Sequence, residues 1–151
     1  MDAESPSPDI QVNCTGPWSV PVDLLEAGCR AVLIREGIRE GEVSVTLIDD
    51  EGIRKLNLEF FRKDRPTDVL AFALQDPGEP ILGDVYLGFQ QAQRQASELD
   101  IPLEEELLRL VIHGTLHLAG HDHPEGEDRF QSTMFRIQEE ILTRLLPTGS
   151  S

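Results

Sequence analysis

The run Leu103-Glu-Glu-Glu-Leu-Leu-Arg-Leu-Val-Ile-His113-Gly-Thr-Leu-His117-Leu-Ala-Gly120-His121-Asp-His123 decides how this 151-residue chain folds. With Leu107, Leu108, Leu110, Val111, Ile112, Leu116 and Leu118 it is apolar nearly all round, so it reads as the central, buried helix of the molecule. All four histidines of the chain lie in the same run. His113 and His117 are four residues apart and project from one helix face a turn apart, where two imidazoles can meet on a single ion. Gly120 can take the positive φ that ends a helix and turn the chain back. A third imidazole then reaches the ion, best assigned to His123, with His121 as the alternative. Three protein ligands leave a fourth tetrahedral position for water, which is the arrangement of a catalytic rather than a structural zinc, here one Zn2+ per chain.

The spacing H-x-x-x-H-x-x-G-x-x-H is shared with the metzincin peptidases, whose signature places a Glu directly after the first His as general base. This chain has Gly114 there, which disfavours peptide cleavage and leaves other electrophiles open to a metal-bound hydroxide. Asp122 is placed to orient a ligand imidazole or simply to occupy a solvated turn.

Outward from this run, alternation and capping signals predict a strand over residues 10–14 and a helix over 21–36, with Ser19 as its cap and Gly37 as its stop. In that helix Leu24, Leu25, Ala31, Val32 and Ile34 form the inner face. A strand over 42–48 leads to a helix capped by Asp49 or Asp50 and running to about Phe60. Residues 68–74 and 83–88 read as a hairpin joined across 75–82, followed by a helix over 90–99. Asp100 and Pro102 look like the cap and early proline of the histidine-bearing helix, with Glu104 to Glu106 at its positive end. A last helix over 125–145 carries Phe130, Met134, Ile137, Ile141 and Leu145 on its inner stripe. The fold class is therefore α+β, a single domain over 10–146 with a small mixed sheet, about five helices, and loose tails at 1–9 and 147–151.

Thirteen Lys and Arg against 28 Asp and Glu give a formal charge of −15, which opposes nonspecific attraction to nucleic acid or anionic membrane and makes any nucleic-acid contact local. Arg62, Lys63 and Arg65 form the densest basic patch and can clamp phosphate beside the metal or stand as a solvated loop compensated by Asp64. Thr67, Asp68 and Asp84, at strand starts, either fix turns or contribute to the site. Trp18 and the six Phe are too scattered along the chain for a base-stacking platform and read as core. Cys14 and Cys29 form no C-x-x-C pair and suit a reduced compartment, and no apolar stretch is long enough for an export signal or membrane span, so the expectation is a cytoplasmic protein.

The run from His113 to His123 resembles the zinc motif of the YbeY family of bacterial endoribonucleases. Leu56-Asn57 through Asp64-Arg65-Pro66-Thr67-Asp68-Val69-Leu70-Ala71-Phe72, and Leu82-Gly83-Asp84-Val85, agree with the same family in order and interval. The resemblance implies a single α+β domain and a zinc on His113, His117 and His123. It also implies single-strand endoribonuclease activity in rRNA maturation, at the 3′ end of 16S rRNA, and in ribosome quality control. Its partners would be precursor rRNA, the small ribosomal subunit and ribosomal proteins. Two positions depart from the pattern: His121 stands where the family has Tyr, and Phe61 occupies the place of a functional Arg, with Arg62 following as the catalytic candidate. The rival readings are a noncatalytic ribosome-assembly factor with a structural zinc, favoured by the acidic surface, and a metal-dependent peptidase or small-molecule hydrolase.

Overall fold

A computed structural model describes residues 7–121 and 133–146 of the chain. In chain order the described residues form β1 (Asp9–Cys14), α1 (Val22–Arg35), β2 (Gly41–Ile48), α2 (Asp50–Phe61), β3 (Val69–Ala73), β4 (Ile81–Gly88), α3 (Phe89–Leu99), α4 (Leu103–Leu118) and α5 (Thr133–Leu145). The strands make one mixed sheet in the order β1-β2-β4-β3, parallel except for the antiparallel β3-β4 pair, so the expected hairpin is present. The architecture is the α+β domain that the sequence predicts.

Alternation decides which side of the sheet each residue faces. Val43, Val45 and Leu47 of β2, Val85 and Leu87 of β4, and Val69 and Ala71 of β3 face a large core that includes α1, α4 and α5. Ile48, Leu70, Phe72 and Tyr86 face the other way, into a small cluster closed by Ile53 and Leu56 of α2. Helix α4 lies at the centre of the first layer, and ten of its sixteen residues are buried. At Gly114 it comes so close to the sheet that a Cβ would stand 2.7 Å from Val85 Cγ1 and 3.1 Å from Val69 Cγ2.

Three local expectations are corrected. Ser19 does not cap α1, whose N-cap is Pro21 without a side-chain bond. Ile34 is 71% exposed, and the buried stripe of α1 is Leu25, Gly28, Cys29, Val32 and Leu33, because the helix turns its small residues toward α4, where Gly28 meets Leu108 and Val111. Asp100 does not cap α4. It ends α3 in the left-handed conformation, φ 58, a role open to Asp because its short polar side chain tolerates that region. Leu103–Leu118 then starts after Pro102 without a side-chain cap, its first-turn acids Glu104, Glu105 and Glu106 facing the positive helix end. By contrast Asp49 does cap α2, accepting from the Gly52 amide at 2.8 Å. The expected helical residues 125–132, with Phe130, lie outside the described residues.

The close approach at Gly114 explains why the peptidase-type Glu is missing. A Glu there would be aimed into Val85 and Val69 of the sheet. Gly114→Glu is therefore expected to lower unfolding stability by about 3–5 kcal/mol, as an uncompensated charge forced into a packed layer does. Chemical denaturation checks this, and a variant as stable as the parent would place α4 farther from β4.

Candidate metal centre

His113 and His117 project from the C-terminal half of α4, and their Nε2 atoms stand 3.1 Å apart with the rings nearly perpendicular, at 79°. The second nitrogen of each ring is committed elsewhere. His117 Nδ1 lies 3.0 Å from the main-chain carbonyl of His121, which can only accept, so Nδ1 carries the proton and Nε2 keeps its lone pair. His113 Nδ1 lies 2.7 Å from Oε1 of Gln138 on α5. The Gln138 amide nitrogen donates to Glu139 at 3.0 Å, which fixes the amide with its oxygen toward the ring. Both Nε2 atoms thus converge.

Two ligands at about 2.0–2.1 Å from a tetrahedral ion are roughly 3.3–3.4 Å apart. The observed separation, and the placing of each Nδ1 against an oxygen acceptor so that Nε2 is the nitrogen left for a ligand, fit a zinc. His123, the expected third ligand, and Asp122 lie outside the described residues, and among the described residues no group of three or more potential ligands is gathered. His121 is turned elsewhere: its Nε2 pairs with Glu36 Oε1, at the C-cap of α1, at 2.9 Å. That contact spends the alternative third imidazole on holding the turn whose carbonyl orients His117. Neither cysteine takes part; burial pushes the Cys29 thiol up to about 11, and Thr115 only partly offsets it.

Gln138, which sequence reasoning passed over, is one end of a longer hydrogen-bonded chain. Glu139 accepts from Arg109 Nε at 3.0 Å, Arg109 Nη1 donates to Glu106 at 2.9 Å, and Gln95 donates to Glu106 at 2.7 Å. Burial works against the charge of Arg109, but Glu139 and Glu106 outweigh it and hold the guanidinium above its ordinary pKa. The only sequence signal was a polar residue breaking the inner stripe of α5 between Ile137 and Ile141; Gln138 is 5% exposed. These groups and His113 line a cavity of about 610 Å³ that also takes in Asp68. Thr67 sits beside Asp68, with Oγ1 3.4 Å from its carboxylate.

Arg62 is brought to a different place. It is the exposed, left-handed C-cap of α2, φ 59, on the sheet face opposite α4, and is not among the residues lining the cavity. The loop it opens leads to Asp68, so the basic patch and the cavity share one connection. Asp84 also faces away from α4, opposite Phe72 on β3.

The model of the family described as Endoribonuclease YbeY matches residues 21–146. The chain belongs to the YbeY family. Curated relatives named Endoribonuclease YbeY include proteins of Persephonella marina, 37% identical over 86% of this chain and 87% of the relative, and of Geobacillus thermodenitrificans, 42% identical over 82% and 85%. The solution structure of TM1509 from Thermotoga maritima is similar as well. It has a TM-score of 0.63 and 31% identity over 90% of this chain and 88% of that one. The YbeY match spans every element from α1 to α5, including α4 and the Gln138-bearing helix.

The hydrogen bonds at this centre predict the tautomers. In zinc-loaded protein, ¹⁵N NMR is expected to show Nδ1 protonated on both His113 and His117, with neither Nε2 carrying a proton. Dominant Nε2 protonation of His117 in the parent would contradict the geometry.

Proposed function

We propose that this YbeY-family chain is a zinc-dependent, single-strand-specific endoribonuclease. It acts in the cytoplasm on precursor rRNA at the 3′ end of the 16S molecule and in ribosome quality control, with the small ribosomal subunit and its proteins as partners. The observation that carries the reading is the pair of Nε2 atoms of His113 and His117, 3.1 Å apart, in a chain whose relatives bear the name endoribonuclease. His123 completes the ligand set. Bound zinc supplies Lewis acidity toward a phosphoryl oxygen and an acidified water.

The chain's own groups do the rest. Gln138 and the His121 carbonyl hold the two imidazoles in the ligating tautomer, and Arg109, bound on both sides by carboxylates, holds Gln138 through Glu139. Phosphate charge is met by Arg62, Lys63 and Arg65, cations that make no ion pair among the described residues, whereas Asp64 beside them is engaged by Arg54. RNA brings its own nucleophile in the 2′-OH. The acidic balance of −15 favours the assembly-factor reading, in which the same centre only braces the fold and basic proteins are bound by the surface.

Purified protein is expected to cut single-stranded rRNA fragments and to contain about one zinc. His117→Ala should lose both; His121→Ala should keep most of its zinc. Gln138→Leu should weaken zinc affinity by about 10–100-fold, as loss of a ligand's hydrogen-bond partner does. A folded, zinc-replete parent that never cuts RNA, or cutting that survives in His117→Ala, would favour the assembly factor. Because counterion release gives a slope of about −0.7 in log affinity against log salt per phosphate on a single strand, binding through the short basic loop should correspond to roughly two to four phosphates. Arg62→Ala should reduce both the slope and the cutting rate with zinc content unchanged; a steep slope of about eight contacts would put the RNA path elsewhere.

A further inference from the structure

Aromatic residues that are scattered along the sequence meet on the sheet face turned away from α4. Phe72 of β3 is their centre: its ring lies 5.1 Å from Phe60, 5.8 Å from Phe61 and 5.9 Å from Tyr86, centroid to centroid. This corrects the expectation that the Phe residues are too scattered to gather and are mainly core. Phe60 and Phe61 are 55% and 47% exposed at the end of α2, while Trp18 is stacked on Phe89 and does belong to the main core. Adjacent exposed rings of this size are an unfilled apolar surface.

Next to them, and continuous with them in the chain, runs the basic loop. Asn57, 4% exposed, donates through Nδ2 to the Arg65 carbonyl at 3.0 Å and accepts at its own carbonyl from the Lys63 amide at 3.3 Å. Arg54 bridges Glu51 and Asp64, which engages the acid that stands among the three cations. The loop is thus held in shape while Arg62, Lys63 and Arg65 remain exposed.

We propose that Phe60 and Phe61, backed by Phe72, form a stacking platform for bases of single-stranded RNA whose phosphates lie on Arg62, Lys63 and Arg65. The proposal rests on the endoribonuclease reading and deepens it by naming where the strand is held away from the cut. Stacking on aromatic faces beside a basic track is how single strands are held without regard to sequence. Asp84, paired with Phe72 across the hairpin, repels phosphate on the far side and leaves the loop side for the backbone. From there the loop passes around the edge strand β3 to Asp68, which lines the cavity containing His113. A second copy of the chain is a poorer occupant, because it would bring a further −15 of charge to the patch.

The test uses a fluorescent 2′-O-methyl RNA of about ten nucleotides, which binds without being cut through its 2′-oxygen, and fluorescence anisotropy. Replacing both rings, Phe60→Leu with Phe61→Leu, keeps the patch apolar and should weaken binding at least about tenfold with zinc content unchanged. Phe60→Trp with Phe61→Trp should bind at least as tightly as the parent. Phe60→Leu alone, at the more exposed ring, should lose about fivefold or more and serves if the double variant melts early. Leu variants that bind as well as a parent that cuts RNA would overturn the platform alone and point to a protein partner that reads only apolarity. A parent that neither binds nor cuts RNA would overturn the endoribonuclease reading itself.

Discussion

The absence of a side chain at residue 114 lets α4 lie directly on β4 and β3, and the placement of the polar groups at the candidate centre depends on that contact. A helix pressed this closely on a sheet buries its apolar residues on one side against Val85 and Val69 and on others against α1 and α5. Each fully buried Leu, Ile or Val contributes about 1.5–3 kcal/mol relative to exposure, so the register of α4 is strongly held. What remains open is the stripe carrying His113 and His117, and it meets Gln138 on α5 because α5 covers that side. The imidazoles are consequently oriented by packing that concerns no metal at all.

The hydrogen-bonded chain from Gln95 to His113 extends that logic. Glu106 is 3% exposed and would be costly there unpaired. Arg109 and Gln95 satisfy its two oxygens, Glu139 takes a further donor of Arg109, and Gln138 transmits the arrangement to the ring. Three helices, α3, α4 and α5, are joined by this network. Shifting any of them would leave buried polar groups unmatched, so the network specifies the position of His113 more tightly than apolar packing would.

Much of this was legible in the chain. Period-2 alternation in 43–47 and 83–87 marked strands that face the core, and the four-residue spacing of His113 and His117 marked a shared helix face, because both rest on local geometry. Legibility failed where the deciding partner is distant in sequence. Ile34 points outward because small residues of α1 are needed against α4, and Asp100 closes the helix before it rather than opening the one after it. Gln138 acquires its role from a ring 25 residues away. The aromatic cluster joins the end of α2 to β3 and β4, a meeting that only the sheet order β1-β2-β4-β3 creates.

Net charge is silent on position for a related reason, since it weighs every acid equally. Many of the acids here are turned on the protein's own cations: Glu105, Glu106 and Glu139 on Arg109, Asp50 on Arg94, Glu51 and Asp64 on Arg54, Glu26 on Arg30. Seven acids on four arginines still leave an excess of acid, and this pairing is already contained in the net charge of −15, so what matters to a ligand is distance. At physiological salt the Debye length is about 8 Å, so a phosphate approaching Arg62, Lys63 and Arg65 feels those three cations before it feels the far surface. An acidic chain can hold a polyanion this way, provided the contact stays as short as the loop that makes it.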